Sequence, residues 1–362
     1  MTRRLRILQV SEAFGGGVFA SVTGLANGLA EKGHEVHVAY SRRPQTPLEI
    51  AAHLEPAIAL HELDLVRAID ARADLKGMLA IRRVIREIDP DVIHLHSSKA
   101  GVLGRVAAWL SGYRKRTIYS PRGLAFLQES DAQAMRKLYE AIEWSMARFG
   151  GTIVACSATE YDILRKKIRP RRLELIDNGI NVDLVPPRIE RDDGRVRVGT
   201  AAIIKHAKNP LLLARLAERA KGPNMDFVWI GDGDREGRVA LERAGVKVTG
   251  WLPRFEVLSE MRRLDIYLHP TLWEGMPLAL IEAQVCGLPA VVMDVVGNRD
   301  IVRDGDTGFI GRDFDELSTQ LHRLIHDADL RMRMGARARE IALERFDLRR
   351  VVDQYEALYL AT

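Results

Sequence analysis

Two glutamates, Glu274 and Glu282, lie eight residues apart on either side of Pro277. Proline suits the first turn of a helix but not its interior, so a helix is predicted to begin at this point. Glu274 then lies in the loop before the helix, and Glu282 lies about a turn and a half inside it. The N–H groups and the dipole of a helix N-terminus attract phosphate. Carboxylates on both sides of such a site can bind the hydroxyls of two sugars joined through a diphosphate, which is the chemistry of a nucleotide-sugar.

Several short motifs surround this pair, in order, along residues 248–308. They are Thr249-Gly250-Trp251, Tyr267-Leu268-His269-Pro270, Gly287-Leu288-Pro289, Val296-Gly297-Asn298 and Asp304-Gly305-Asp306-Thr307-Gly308. With the Glu-x7-Glu run among them, they closely resemble the donor-binding half of the retaining family-four glycosyltransferases, which have the GT-B fold and belong to glycosyl transferases group 1. The resemblance is dense over residues 196–310 and sparser before them. A Glu-x7-Glu spacing alone is a weak signal, because it is common on exposed helices.

The resemblance implies that Glu274, Lys208 and Arg122 act on the reacting groups. Glu274 would hold hydroxyls of the donor sugar, and Lys208, in a Lys-Asn-Pro run, would stabilise the departing diphosphate. Many family members have histidine where Arg122 stands, and arginine cannot act as a general base at neutral pH. Because the leaving phosphate is proposed to accept the acceptor's proton in retaining members, Arg122 would instead orient the donor and help neutralise the diphosphate. The alternatives are a solvated Lys208 before a helix and an Arg122 that only stabilises a turn.

The resemblance also implies a donor site built largely from backbone. Glu282 would hold the ribose hydroxyls, and N–H groups at the helix start would hold the diphosphate. The family usually has an arginine five residues before the lysine, where this chain has Ile203, and Lys205 is our candidate for that second charge. The implied donor-binding residues are Glu282, Gly16, Gly17, Lys205, Gly231, Trp251, Gly275, Met276, Leu278 and Ala279.

Acceptor contact is assigned to His96, Lys99 and Asn178, again through the resemblance. His96 ends a strand and has strand packing as its alternative, and Asn178 precedes a glycine in what is first of all a turn dipeptide. His94 and His96 alternate along the strand, but the sequence points to no third metal ligand. We therefore expect neither a metal nor another cofactor, the nucleotide-sugar being a substrate.

A dinucleotide site is the rival interpretation of the glycines after the first strand. Gly15, Gly17 and Ala20 satisfy the G-x-G-x-x-A fingerprint. An NAD site expects an acidic residue at the end of the second strand, to hold the ribose. That strand ends in Tyr40-Ser41-Arg42-Arg43, without an acid. The sequence therefore disfavours NAD, and a plain tight turn stays open beside donor and acceptor contact.

Short apolar runs alternate with helical segments along most of the chain. The strand candidates are residues 6–10, 35–40, 92–95, 117–120, 152–155, 174–176, 196–200, 226–230, 246–249, 266–268 and 290–293. Apolar runs of this kind are typical of parallel strands buried on both faces, so we predict two doubly wound α/β domains. The predicted bounds are 1–184 for an acceptor-binding domain, 185–195 for a linker and 196–345 for a donor-binding domain. The resemblance implies a GT-B arrangement of two Rossmann-like domains facing a cleft, with a C-terminal helix, about residues 346–362, crossing back to the first.

Composition limits the cellular setting. The chain has 362 residues, a net charge of +5 and two cysteines. Its basic residues cluster at 114–116 and 165–172, which predicts either a solvated face or contact with anionic lipid or a lipid-diphosphate acceptor. Nucleic acid is disfavoured, because no aromatic residues interleave with the charges. The sequence has no signal-peptide core and no apolar run of about 18 residues, so we expect a cytoplasmic protein, peripheral on the inner face of a membrane.

These observations predict a retaining glycosyltransferase of cell-surface polysaccharide biosynthesis. It would move a sugar from a nucleoside-diphosphate donor to a hydroxyl of a glycan or a lipid-diphosphate-linked glycan. Two alternatives stay open. One is a nucleotide-sugar epimerase of the same fold, which would lack the combination of Lys-Asn-Pro with Glu-x7-Glu. The other is a non-catalytic nucleotide-sugar-binding protein, against which the intact acids and lysine argue.

Overall fold

The computed structural model describes residues 3–128, 132–191 and 193–362. The chain divides into two compact units, one formed by Met1–Gly179 with Leu348–Thr362 and the other by Ile180–Asp347. None of the helices in the described segments combines the length and apolar character that a membrane span requires.

The first unit is a parallel sheet covered by helices. Its described strands, in the order β3-β2-β1-β4-β5-β6-β7 across the sheet, are β1 Arg6–Ser11, β2 Glu35–Tyr40, β3 Ala59–Glu62, β4 Val92–His96, β5 Thr117–Ser120, β6 Thr152–Ala155 and β7 Leu173–Leu175. Its helices are α1 Gly16–Glu31, α2 Ala71–Ile88, α3 Ser98–Leu110, α4 Gln133–Met146, α5 Ala158–Ile163 and, from the chain end, α13 Leu348–Leu360. Helix α13 packs on α1 so closely that a Cβ added to Gly28 would lie 2.5 Å from Val352 Cγ2. The predicted return of the C-terminal helix to the first domain is confirmed.

The second unit repeats the same design. Its described strands, in the order β10-β9-β8-β11-β12-β13, are β8 Val196–Ala201, β9 Met225–Ile230, β10 Val246–Val248, β11 Ile266–His269, β12 Ala290–Met293 and β13 Gly308–Gly311. Its helices are α6 Pro210–Arg219, α7 Arg235–Arg243, α8 Arg254–Met261, α9 Leu278–Cys286, α10 Asn298–Ile301, α11 Phe314–His326 and α12 Ala328–Arg345. Every predicted strand is present within a residue or two, and the prediction of two doubly wound α/β domains is confirmed. The edge strands β3 and β13 were not predicted.

The described residues of the predicted linker, 185–191 and 193–195, belong to the second unit and are bonded to the rest of it. The Arg188 N–H donates to the Cys286 carbonyl at 2.7 Å, and Arg191 pairs with Asp265 at 2.5 Å. Asp192, inside the predicted linker, lies outside the described residues. The units meet along the chain at Gly179 and Ile180, and again at Asp347 and Leu348.

Each sheet reverses its strand order once, between β1 and β4 in the first unit and between β8 and β11 in the second. The loops that follow two such strands leave on opposite faces and open a crevice at their carboxyl ends. Lys208 follows β8 and Glu274 follows β11, so sheet topology brings together two residues that are distant in sequence.

Candidate functional site

The loop after β11 and helix α9 form the base of the candidate site. Helix α9 begins at Leu278, directly after Pro277, and ends where Gly287 adopts a φ of 85°. The prediction that Glu274 precedes the helix and Glu282 lies within it is confirmed. The loop is tightly packed, since a Cβ added to Gly297 would lie 2.2 Å from the Gly275 carbonyl oxygen. Leu278 and Ala279 form the first turn of α9, where backbone N–H groups have no partner within their own helix.

The loop after β8 is bonded to the loop after β11. The Ala207 carbonyl accepts hydrogen bonds from Thr271 Oγ1 at 2.7 Å and from the Leu272 N–H at 2.9 Å. Helix α6 begins at Pro210, two residues after Lys208. Asn209 caps the helix, because its side chain accepts a hydrogen bond from the N–H of Leu212. These contacts fix the backbone that carries Lys208.

The Glu274 carboxylate is the centre of a polar network in this crevice. Its Oε1 accepts hydrogen bonds from Lys208 Nζ and from His269 Nε2 at 3.1 Å, and it lies 3.1 Å from Thr271 Oγ1, whose proton is directed to the Ala207 carbonyl. Burial favours the neutral acid, but the Lys208 charge and the bonds from His269 and Lys208 outweigh it and hold the pKa of Glu274 well below its usual range. The carboxylate is therefore ionised at neutral pH and can accept hydrogen bonds from hydroxyls.

His269 supports this network in a neutral form. Burial lowers the pKa of its imidazole below the ordinary value, although the neighbouring Glu274 opposes the shift. A carboxylate only accepts hydrogen bonds, so the proton of the neutral ring is on Nε2, which faces Glu274. His269 thus fixes the orientation of Glu274 without adding charge.

The Glu282 carboxylate pairs with an arginine that the sequence analysis did not single out. Arg254 Nη1 lies 2.9 Å from Glu282 Oε2, and Nη2 bonds Oε1. The Glu282 side chain is 3% exposed, whereas that of Arg254 is 56% exposed. Both oxygens of the acid predicted to hold a ribose are therefore occupied by a guanidinium.

The remaining predicted donor residues of the second unit lie at turns near its strand ends. Gly231 follows β9 with a φ of 133°, and its N–H donates to Thr249 Oγ1 at 3.0 Å. A Cβ there would lie 2.3 Å from the Ala202 carbonyl oxygen, so only glycine fits. Trp251 is exposed, and so is Lys205, which precedes the turn that carries Lys208. Met276, in the loop before α9, is buried.

Three residues predicted for the first unit meet at the carboxyl edge of its sheet. Arg122 Nη1 donates to Asn178 Oδ1 at 2.6 Å, and Nη2 lies 3.3 Å from His96 Nδ1. Arginine can only donate, so His96 Nδ1 is the acceptor and Nε2 carries the proton, which it donates to Gln9 Oε1 at 3.2 Å. Burial, with a contribution from Arg122, lowers the pKa of His96 well below its ordinary value, in agreement with a neutral ring.

The backbone at this edge is strained. Arg122 has a φ of 58° and Ser97 has a φ of 72°, in the left-handed region that residues other than glycine rarely adopt. The buried Glu160 carboxylate supports the Arg122 turn, because it accepts a bond from the N–H of Gly123 at 3.2 Å. Strain that is held by surrounding contacts is a common property of binding and catalytic sites.

The other predicted residues of the first unit are in different surroundings. Gly16 and Gly17 form the exposed start of α1, where an added Cβ would meet nothing within 4 Å. Lys99 Nζ donates to Asp74 Oδ1 at 2.6 Å and to the Ala68 carbonyl at 2.7 Å. The ammonium of Lys99 is thus bound by α2 and the loop before it, and its acceptor role stays a prediction.

Neither the cysteine thiols nor the described metal-binding residue types suggest further chemistry. Burial raises the pKa of the Cys156 thiol well above its ordinary value and that of Cys286 to about 12, so both are neutral. Within the described segments, no three residues of the metal-binding types lie close enough to hold an ion. That the protein needs no metal stays a prediction.

Sequence reasoning missed two members of the site, Arg254 and His269. His269 ends a parallel strand, a position that faces the ligand crevice in this class of sheet, and that signal was available. Arg254 left a weaker signal. It is the first residue of α8, where the helix dipole disfavours a cation, so its presence there calls for an acidic partner.

Comparison with known proteins identifies the two halves of the chain separately. Residues 15–184 match the family described as Glycosyltransferase Family 4. Residues 185–341 match the family described as Glycosyl transferases group 1.

Individual relatives agree with these matches. A UDP-Gal:alpha-D-GlcNAc-diphosphoundecaprenol alpha-1,3-galactosyltransferase of Escherichia coli is 26% identical over 82% of this chain and 82% of its own length. Among solved structures, sucrose-phosphate synthase from Thermosynechococcus elongatus has a TM-score of 0.84 at 18% identity, with 98% of each chain covered. The Anabaena protein HepE in complex with UDP and glucose has a TM-score of 0.81 at 18% identity, covering 99% of this chain and 100% of its own. These structures share the fold of this chain, and the predicted GT-B class is confirmed.

Proposed function

We propose that this chain, which belongs to glycosyltransferase family 4 and carries its Glycosyl transferases group 1 domain, moves a sugar from a nucleoside-diphosphate donor to a glycan hydroxyl with retention of anomeric configuration. The observation that carries the proposal is the Glu274–Lys208 ion pair at the strand-order reversal of the second sheet, directly before the start of α9. An ionised acid, a cation and a helix N-terminus there match the hydroxyls and the diphosphate of a nucleotide-sugar.

In the proposed reaction, Glu274 accepts hydrogen bonds from the donor sugar and Glu282 accepts them from the ribose. Lys208 and the N–H groups of Leu278 and Ala279 hold the diphosphate. The bond from the anomeric carbon to the phosphate oxygen breaks, and the bond to the acceptor oxygen forms on the same face of the sugar. The acceptor's proton passes to the departing phosphate, so no protein general base is needed. Lys208 stabilises the negative charge that develops on this leaving group.

We further propose that the reaction belongs to cell-surface polysaccharide biosynthesis and that the acceptor glycan is linked to a lipid diphosphate. The name of the Escherichia coli relative specifies an acceptor of that chemistry. A growing lipid-linked glycan lies at a membrane surface, so the enzyme must work there.

Helix α4 of the first unit supports membrane contact. Two of its apolar side chains, Leu138 and Trp144, are each 45% exposed. Among the described residues of α4, Glu143 is the buried one. One basic cluster contacts the middle of α4, where Lys167 pairs with Glu140 at 3.5 Å, and another lies just beyond its end, where Arg114 bonds the Arg148 carbonyl at 3.2 Å. Exposed tryptophan and leucine between basic groups are the composition of a surface that binds anionic lipid.

The transfer reaction is tested with purified protein, a panel of radiolabelled UDP- and GDP-sugars and a synthetic polyprenyl-diphosphate-linked N-acetylglucosamine. We expect one donor to label the lipid, with NMR of the product showing the donor's anomeric configuration. Glu274→Gln should abolish labelling, whereas Glu236→Gln, an exposed acid in the same unit, should not. An epimerised donor without transfer would indicate an epimerase, and donor binding without turnover would indicate a binding protein. Either result contradicts the proposal.

Membrane contact is tested by co-sedimentation with vesicles of phosphatidylglycerol and of phosphatidylcholine. We expect binding to the anionic vesicles, with loss in the double variant Leu138→Ser, Trp144→Ser. Met332→Ser, at an exposed apolar residue of the second unit, is the matched control. Equal binding of the double variant and the control would show that α4 is not the contact surface.

A further inference from the structure

The Glu282 carboxylate already has a two-point partner. Arg254 presents two N–H groups, Nη1 at 2.9 Å from Oε2 and Nη2 on Oε1. Glu282 is nearly inaccessible, whereas more than half of the Arg254 side chain is exposed. The buried acid is thus closed from the outside by a side chain that itself lies largely in solvent.

The contact with Glu282 stabilises the charge of Arg254 at a position in the helix where a cation is unfavourable. It is the first residue of α8, where the helix dipole repels a positive charge. Its neighbours Trp251 and Phe255 are strongly exposed, so open solvent surrounds the position. The guanidinium therefore has one specific partner and room to leave it.

A guanidinium and a vicinal diol satisfy a carboxylate in the same way. Two parallel N–H groups of arginine meet the two oxygens, and the 2′- and 3′-hydroxyls of ribose can do the same with two O–H groups. Because the Glu282 side chain is only 3% exposed, the two ligands compete for the small part of the carboxylate that can be reached.

We propose that Arg254 is an internal competitor of the ribose diol for Glu282, a latch that covers this acid and opens when the donor binds. The inference rests on the proposed function, because it takes Glu282 as the ribose-binding acid. A diol must displace Arg254, so part of its binding energy is lost, and the product nucleoside diphosphate leaves faster for the same reason. A nucleotide without the diol leaves the latch closed and is unaffected by it.

Isothermal titration with UDP and with 2′,3′-dideoxy-UDP, on the full chain, tests the latch. Arg254→Ala should bind UDP more tightly by about 1.5-fold to fivefold, the factor that corresponds to one partly exposed ion pair. Its affinity for the dideoxy nucleotide should be unchanged. Arg254→Lys, which keeps the charge but not the two-point fork, should lie between wild type and Arg254→Ala. Arg263→Ala, an exposed arginine just beyond the same helix, should match wild type for both ligands.

The outcomes separate the latch from the proposed function. If Arg254→Ala weakens both nucleotides equally, or changes neither, the latch is overturned and the proposed function stands. If wild type binds no nucleoside diphosphate among UDP, GDP and ADP, the proposed function fails and the latch fails with it. If circular dichroism shows that Arg254→Ala is unfolded, Arg254→Lys decides, since the latch requires tighter UDP binding and unchanged dideoxy-UDP binding there too.

Discussion

The carboxyl edges of the two sheets carry polar clusters of different kinds. In the second unit, acids are held by cations: Glu274 by Lys208 and Glu282 by Arg254. In the first unit, the charged Arg122 is held by the neutral groups of His96 and Asn178, on strained backbone.

This difference fits different ligands. Paired acids and cations can exchange their partners for the hydroxyls and phosphates of a nucleotide-sugar, which carries both. The hydrogen-bond acceptors of Arg122, His96 and Asn178, are uncharged, so this guanidinium is a candidate for binding an anion in the first unit. The donor's sugars and phosphates are proposed to bind in the second unit.

Lys208→Met is expected to have the largest effect. Loss of one charged group that stabilises a leaving group lowers kcat by about 10²- to 10³-fold. The measurement is transfer to the lipid-linked acceptor at saturating donor. Lys221→Met, at an exposed lysine of the same unit, should retain wild-type turnover. A Lys208→Met enzyme with a kcat within about threefold of wild type would contradict the proposed role of the second unit, because Lys208 would then not stabilise the leaving group.

The first unit should lose stability as pH falls, through its buried histidines. Burial, with a contribution from Arg122, holds the pKa of His94 and His96 well below the ordinary value. Below about pH 6.5 the unfolded chain binds protons that the folded chain does not, so the free energy of unfolding falls by up to about 1.4 kcal/mol per pH unit for each histidine. Urea unfolding between pH 7.5 and 5.5 measures this slope.

The matched variants for this slope are His94→Gln and His322→Gln. His94 is buried between Tyr359 and Ser120, with its ring nitrogens 2.6 Å and 2.8 Å from their hydroxyls, whereas His322 is exposed. His94→Gln should flatten the slope by about one proton, and His322→Gln should leave it as in wild type. An unchanged slope in His94→Gln would mean that the buried ring is protonated in the folded state.

The strain at Arg122 should appear as a small difference in the free energy of unfolding between two variants. Arg122→Gly and Arg122→Ala lose the same side-chain contacts, but alanine still resists the positive φ. We expect Arg122→Gly to be the more stable by about 0.5–1 kcal/mol, measured by urea unfolding. At Lys137, inside α4, the order should reverse, because glycine is the weaker helix former. The same order at both positions would remove the case for strain at the first sheet.

Sequence predicted the interior of both sheets better than their edges. Strands buried on both faces read as apolar runs, and these were identified. Strand β3, Ala59–Glu62, contains His61 and Glu62 and is only partly buried, while β13 is four residues bounded by Gly308 and Gly311. Neither carries the continuous apolar signal of an interior strand, β3 because half of it is polar and β13 because it is short and bounded by glycines.

The sites show the same limit. The placement of Glu274 and Glu282 about a helix start depended on local sequence, and it was predicted. The Glu274–Lys208 contact joins residues 66 positions apart, and it follows from the adjacency of β8 and β11, which no local pattern encodes. The Arg254–Glu282 pair depends on a surface arginine whose one local signal is its unfavourable place at the start of α8, and that signal does not identify its partner.

The measurement that tests the central claim most directly is a thermal-shift panel with UDP, GDP, ADP, CMP and NAD on wild type and Glu282→Ala. A ligand that binds the folded state raises the melting temperature by mass action. We expect one nucleoside diphosphate to stabilise wild type and Glu282→Ala to lose that shift. Stabilisation by NAD alone, by none of the five, or equally in both proteins would contradict the proposed donor site.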